Sequence, residues 1–178
     1  VHMRPTQFVG IAEQLDDDFL GNLLNYLDSQ RADKLLAELP QLLAERFIDA
    51  GLKQQNYPAL AELAEQLPRE QVLGLAEALK SPLDLIRIAR FITDKSSLTQ
   101  LVSGLDENLI GNALIAAGDS DQLADMALEL LSFMPVGIQQ AAGAQGMNHQ
   151  PKATKKLAKL AATHPQRHTL EAFIQTCS

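Results

Sequence analysis

The sequence predicts an all-α protein, with short antiparallel helix pairs stacked into a superhelix or irregular bundle, and three observations predict it. Hydrophobic residues make up 46% of the 178, dominated by Leu and Ala, while aromatics are 4% and Trp is absent. Leu and Ala lose little on entering a helix, whereas strands favour β-branched and aromatic side chains. Apolar residues recur at three- and four-residue steps, and no stretch sustains a period-two alternation. Helix-ending and helix-starting residues punctuate the whole chain.

Taken in order, the spacing and breaks predict helices near 6–15, 17–27, 30–38, 41–50, 58–66, 69–80, 82–92, 95–103, 107–117, 120–132, 135–143, 152–162 and 166–176. Leu35, Leu36, Leu39, Leu42, Leu43 and Phe47 form one apolar series, and Leu60, Leu63, Ala64 and Leu67 another. Leu83, Ile86, Ile88 and Phe91, then Leu123, Met126, Ala127, Leu130 and Leu131, continue the pattern. Pro40 interrupts the first series, and Asn56-Tyr57-Pro58 and Pro68 with Glu70 open new helices. Ser81-Pro82-Leu83-Asp84 is the clearest start. Ser81 stands at the capping position, Pro82 at the first helical position, and Asp84 in the first turn, where the helix dipole favours a carboxylate. Asp94, Asp106 and Asp119 are expected to start helices in the same way, and Gly51, Gly104 and Gly118 to end them in the left-handed conformation. Several of these helices are too short to persist alone, so neighbours must shield their leucines.

Residues 4–133 are expected to form a helical-repeat module, 134–150 a Gly/Ala/Gln-rich connection, and 151–178 a basic helical pair capping the module, within one compact domain. Charge follows this division. Residues 1–150 carry 10 Lys and Arg against 21 Asp and Glu, a net of −11, whereas 151–178 carry 5 against 1, a net of +4. The acidic part should repel nucleic acid and anionic membranes. No apolar run approaches the roughly 20 residues that span a bilayer. The start shows no secretory pattern, and Val1-His2 before Met3 reads as a cloning remnant. Cys177 is the sole cysteine, which excludes an internal disulfide and a thiol-rich metal site. A cytoplasmic location fits this usage best.

Arg31-Ala32-Asp33-Lys34-Leu35-Leu36-Ala37-Glu38-Leu39-Pro40 is partly echoed by Leu60 to Pro68, each an apolar stripe ending in Leu-Pro. Over about residues 20–80 these segments resemble the cytoplasmic N-terminal domain of MgtE-type magnesium transporters, whose units read Arg-Ala-x-x-Leu-Leu-x-x-Leu-Pro. The resemblance implies a superhelix of short helices and a regulatory, magnesium-sensing role. It carries no metal residue over by position.

Candidate chemistry is sparse. Asp16, Asp17 and Asp18 offer the clustered carboxylate oxygens that a hard divalent cation such as Mg2+ prefers. The competing reading makes them an acidic cap for the next helix, with Leu15 and Phe19 buried on either side, and their consecutive placement favours it. His164 and His168 have the four-residue spacing of a helical zinc site, but Pro165 breaks the helix and makes His164 a cap; with His149 they read as surface residues. Cys177, next to the end of the chain, is expected to be loosely packed and lacks a positioned base. Nothing resembles a nucleophile elbow or a phosphate-cradling loop. Lys152, Lys155, Lys156 and Lys159 recur at helical steps beside Leu157, Leu160 and Ala161, which makes a basic amphipathic helix. It serves either as a structural cap whose lysines neutralise acidic neighbours or as a partner-binding element. The expected function is therefore a non-catalytic helical-repeat module for protein–protein interaction or scaffolding, without a cofactor. The alternatives are a magnesium-sensing domain and a helical-domain enzyme of unknown reaction.

Overall fold

The computed structural model describes residues 4–25, 36 and 38–178. Every regular element among them is helical. In chain order these are α1 (Pro5–Ala12), α2 (Asp17–Leu24), α3 (Gln41–Lys53), α4 (Tyr57–Gln66), α5 (Arg69–Ala78), α6 (Pro82–Ala89), α7 (Lys95–Val102), α8 (Glu107–Ala117), α9 (Asp121–Ser132), α10 (Val136–His149), α11 (Pro151–Thr163), a 3₁₀ turn (Arg167–Leu170) and α12 (Glu171–Thr176). The helix expected at 30–38, and with it Leu35, falls almost wholly outside the described residues. The chain divides into two compact units, Val1–Ala78 with Phe91–Thr93, and Leu79–Arg90 with Asp94–Ser178. The boundary expected at residue 133 lies inside the second of these units.

In the first unit α2 and α4 pack on α3, around buried Leu20, Leu24, Leu43, Phe47, Leu60 and Leu63. Phe8 brings α1 onto this core, its ring stacked on Phe47 at 6.4 Å. Arg46 closes the turn between α1 and α2. Its guanidinium donates to the Leu15 carbonyl at 2.7 Å and the Glu13 carbonyl at 3.3 Å, and pairs with Asp17 at 3.1 Å. Gln71 Nε2 donates to the Leu39 carbonyl at 2.8 Å, which holds α5 against the start of α3.

Three residues expected inside are outside: Leu42 is 72% exposed, Phe19 54%, and Phe91, beyond the end of α6, 41%. Pro40 resets the helical phase, so in α3 the buried face is Leu43, Ala44, Phe47, Ile48, Ala50 and Gly51, and Leu42 lies on the opposite side. In α2 the same geometry buries Leu20, Gly21 and Leu24 and turns Phe19 outward.

The capping expectations hold in part. Asp94 and Asp106 cap α7 and α8, accepting from Ser96 N at 2.9 Å and Asn108 N at 2.7 Å. Ser81 precedes Pro82 at the capping position, but its side chain makes no capping bond, and α9 begins after Ser120 rather than Asp119. No described glycine adopts positive φ. The left-handed residue is Gln55, at φ 54°. There Gln55 N donates to Leu52 O and Asn56 N to Gly51 O, the paired bonds of a Schellman ending. Gly51 is instead inside α3, where a Cβ would meet Leu60 Cδ2 at 2.5 Å.

The second unit is built around α10, which packs on α8, α11 and α12. The stretch 134–150, expected as a connection, is therefore mostly a core helix, running on to His149 rather than stopping near 143. Its small residues admit neighbours at backbone distance. A Cβ at Gly143 would meet Thr176 at 3.1 Å and Cys177 Sγ at 3.2 Å, and one at Gly146 would meet Thr154 Oγ1 at 2.5 Å. Buried Gln139 ties the helix start down, its Nε2 donating to Met134 O at 3.1 Å and Thr169 O at 2.7 Å. Leu114, Leu128, Leu131, Leu157, Leu170 and Phe173 complete the core.

Gln55→Gly removes the left-handed penalty at the end of α3 and should raise stability by about 0.5–1 kcal/mol, read from chemical denaturation. Within α10, Gly137 has open space where a Cβ would go. Gly137→Ala should therefore stabilise by up to about 1 kcal/mol, whereas Gly146→Ala, forced against Thr154, should destabilise by about 1–3 kcal/mol. Equal effects of the two alanines would refute the close packing at Gly146.

Candidate interaction surface

Helix α11 starts at Pro151, which needs no amide partner there, and buries Thr154, Leu157, Ala158 and Ala161. Thr154 Oγ1 donates to the Gln150 carbonyl at 2.9 Å, and the hydroxyl and methyl together occupy the space beside Gly146. With this face fixed inward, Lys152, Lys155, Lys156 and Lys159 are all exposed, within an arc of ~100° on the opposite side. Lys156 is engaged. Its Nζ donates to the Gly118 carbonyl at 2.8 Å and lies 3.6 Å from Asp121 Oδ1. A cation there suits the negative end of α8. Lys152, Lys155 and Lys159 make no hydrogen bond or ion pair among the described residues.

Beside α11 lies α9, whose exposed face carries Asp121, Asp125 and Glu129 at four-residue steps. His164, at the end of α11, joins the two helices. Its Nδ1 accepts from Gln166 N at 3.2 Å, and its Nε2 sits 3.4 Å from Asp125 Oδ1. His164 is thus a largely buried cap, not a surface residue. His149 ends α10 exposed, and exposed His168 lies 3.9 Å from Glu171. The three histidines do not share a helix face.

The acidic triplet separates by role. Asp16 Oδ1 accepts from Phe19 N at 2.8 Å and caps α2, Asp17 pairs with Arg46, and Asp18 offers its carbonyl to Gln54 at 3.2 Å. Among the described residues no three His, Cys, Asp or Glu side chains converge as metal ligands. Hydrogen bonds from Ser97 and Ser96 hold the Asp94 carboxyl below its ordinary value, and Asn108 does so for Asp106. Each cap's contribution is complete above the ordinary 3.8 and is lost as pH falls through the lower folded-state value.

Cys177, expected to be loose, is 3% exposed against Gly143. Burial pushes its thiol up to about 11. The acidic ridge of α9 was not singled out in the sequence, although its four-residue spacing was a signal; Leu123, Met126 and Ala127 drew attention to the core face instead. Among the described residues no helix is long and apolar enough to cross a membrane. Comparison with family models, curated proteins and solved structures gives no match.

The raised thiol means that the stability it brings is complete below the ordinary 9.0 and is lost as pH rises towards about 11. At pH 8 a disulfide reagent should therefore modify the native chain ~100-fold more slowly than the unfolded chain, from the thiolate population alone. Equal rates would place Cys177 outside the core.

Proposed function

We infer that the protein is a non-catalytic helical interaction module that docks an acidic protein surface on the lysine face of α11. The observation that carries this reading is the incomplete internal neutralisation of that face. If the lysines served only to offset acidic neighbours, each would reach a carboxylate, yet among the four only Lys156 does so within the described residues. Lys152, Lys155 and Lys159 keep their donors in solvent, on a helix whose opposite face is locked into the core. The face has no aromatic side chain for base stacking and adjoins the carboxylates of α9, features that favour a protein partner over nucleic acid.

The test is capture from native lysate at low salt with the immobilised full chain, comparing wild type with the combined Lys152→Gln, Lys155→Gln and Lys159→Gln variant. Exposed charge contacts contribute about 0.2–1 kcal/mol each, so the variant should bind its partner about 3- to 100-fold more weakly. Its denaturation midpoint should stay near wild type, since these substitutions touch no packed group. Proteins retained equally by wild type and variant would defeat the reading.

A further inference from the structure

We propose that the acidic element docked by the lysine face is a single helix, with carboxylates at i, i+3 and i+7, laid lengthwise on α11. The inference rests on the docking role of the lysine face and names the form of its partner. Lys152, Lys155 and Lys159 stand three and four residues apart on one continuous helix, which contains no Asp or Glu to pair with them. At about 1.5 Å and 100° per residue, their stems leave α11 within an arc of ~60°, at successive rises of ~4.5 and ~6 Å. They form a row ~10.5 Å long and one side chain wide.

The surroundings bound this row. On one flank Lys156 is held by the Gly118 carbonyl and by Asp121, whose carboxylate is 91% exposed. Towards the far end Asp125 stands 3.4 Å from His164, and the last carbonyls of α11 form the negative end of its dipole. A broad acidic surface therefore meets Asp121 while reaching for the lysines, and a long polyanion runs on to the negative end of the helix. Duplex nucleic acid, broad and charged along its whole length, is disfavoured on both counts. The occupant that gains most is short and narrow. A helix meets both conditions and also matches the steps. Carboxylates at i, i+3 and i+7 follow the same rises, so all three come opposite ammonium groups at once. An extended segment brings side chains to one face every ~6.7 Å, and so places two carboxylates rather than three along that length.

The probes are three synthetic peptides of equal net charge, titrated into the isotope-labelled full chain and followed by NMR, which reads weak and rapidly reversed contacts. At about 0.15 M salt screening extends ~8 Å, so the chain's net −7 is blurred while charges in contact still act. The first peptide is alanine-rich and helical, with glutamates at i, i+3 and i+7. The second is equally helical, with glutamates at i, i+5 and i+6, which point ~100–140° apart around the axis. The third keeps the first spacing but has glycine in place of alanine, so that it forms no helix. The first should shift the amide signals of α11 and bind about 2- to 30-fold more tightly than the second, which brings one carboxylate to the row instead of three. The third should also bind more weakly than the first. In the combined Lys152→Gln, Lys155→Gln and Lys159→Gln variant these preferences should vanish. Equal affinity for the first two peptides, or tighter binding of the glycine-rich one or of a short DNA duplex, overturns the helix. No shift with any peptide, while an acidic protein is still captured through the lysines, overturns the helix and leaves the docking role. If capture too is untouched by the lysine changes, both readings fall.

Discussion

The second unit depends on close approach around α10, and glycine is what permits it. Packed helices ordinarily lie 8–10 Å apart, with side chains between them. At Gly143 and Gly146 there is no side chain, so the ends of α12 and α11 sit where a Cβ would be. Gly111 of α8 accommodates Gln145 of α10 in the same way, with Gln145 Cγ 2.8 Å from the missing Cβ position. These contacts fix more than distance. With Thr154 against Gly146, the rotation of α11 about its own axis is set, and the lysines a half-turn away must face solvent. The Lys156 bond to the Gly118 carbonyl holds the same rotation from the other side. The display of charge is thus a consequence of interior packing, and the two cannot be altered independently.

The first unit solves a different problem with different groups. Helices α1 and α2 have eight residues each, below the length at which an isolated helix persists. Their carbonyls at the intervening turn also need partners. Arg46 supplies both remedies, because a planar guanidinium projects several donors from one stem. It binds two backbone carbonyls and the Asp17 carboxylate at once, while Phe8 and Phe47 bury the apolar side of the same junction. This explains why Asp17, conspicuous as part of an acidic run, has a structural partner rather than a neighbouring ligand.

Helix type and order were legible because breaks in the chain coincide with chemistry that stops helices. Residues 107–117 were expected and Glu107–Ala117 is observed, bounded by Asp106 and Gly118. Helix α3 overran its expected end because the ending at Gln55 uses a side chain type with no glycine signature. Leu42 misled because the three-residue step from Leu39 crosses Pro40, where the phase is lost. The 134–150 stretch looked like a connection because Gly, Ala and Gln provide little contrast from which a period can be read, although small size is what its packing requires. Cys177 looked loose because position near an end says nothing about the core beneath it. The lysine ridge was visible from spacing alone. The acidic ridge beside it was not, since α9 and α11 lie about thirty residues apart and their adjacency is a tertiary fact.

That adjacency decides how the chain's charge acts. A net of −7 describes the molecule only at distances where its charges blur together. At physiological ionic strength screening sets in at about 8 Å, comparable to the separation of two packed helices. A partner within that range therefore responds to individual ridges, and the lysines of α11 act as a locally positive surface on an acidic protein. Because the neighbouring ridge has the opposite sign, the pair has direction as well as charge. A partner acidic over a wide area gains on the lysines and loses on the carboxylates beside them, so the lysine face favours an acidic patch no wider than one helix.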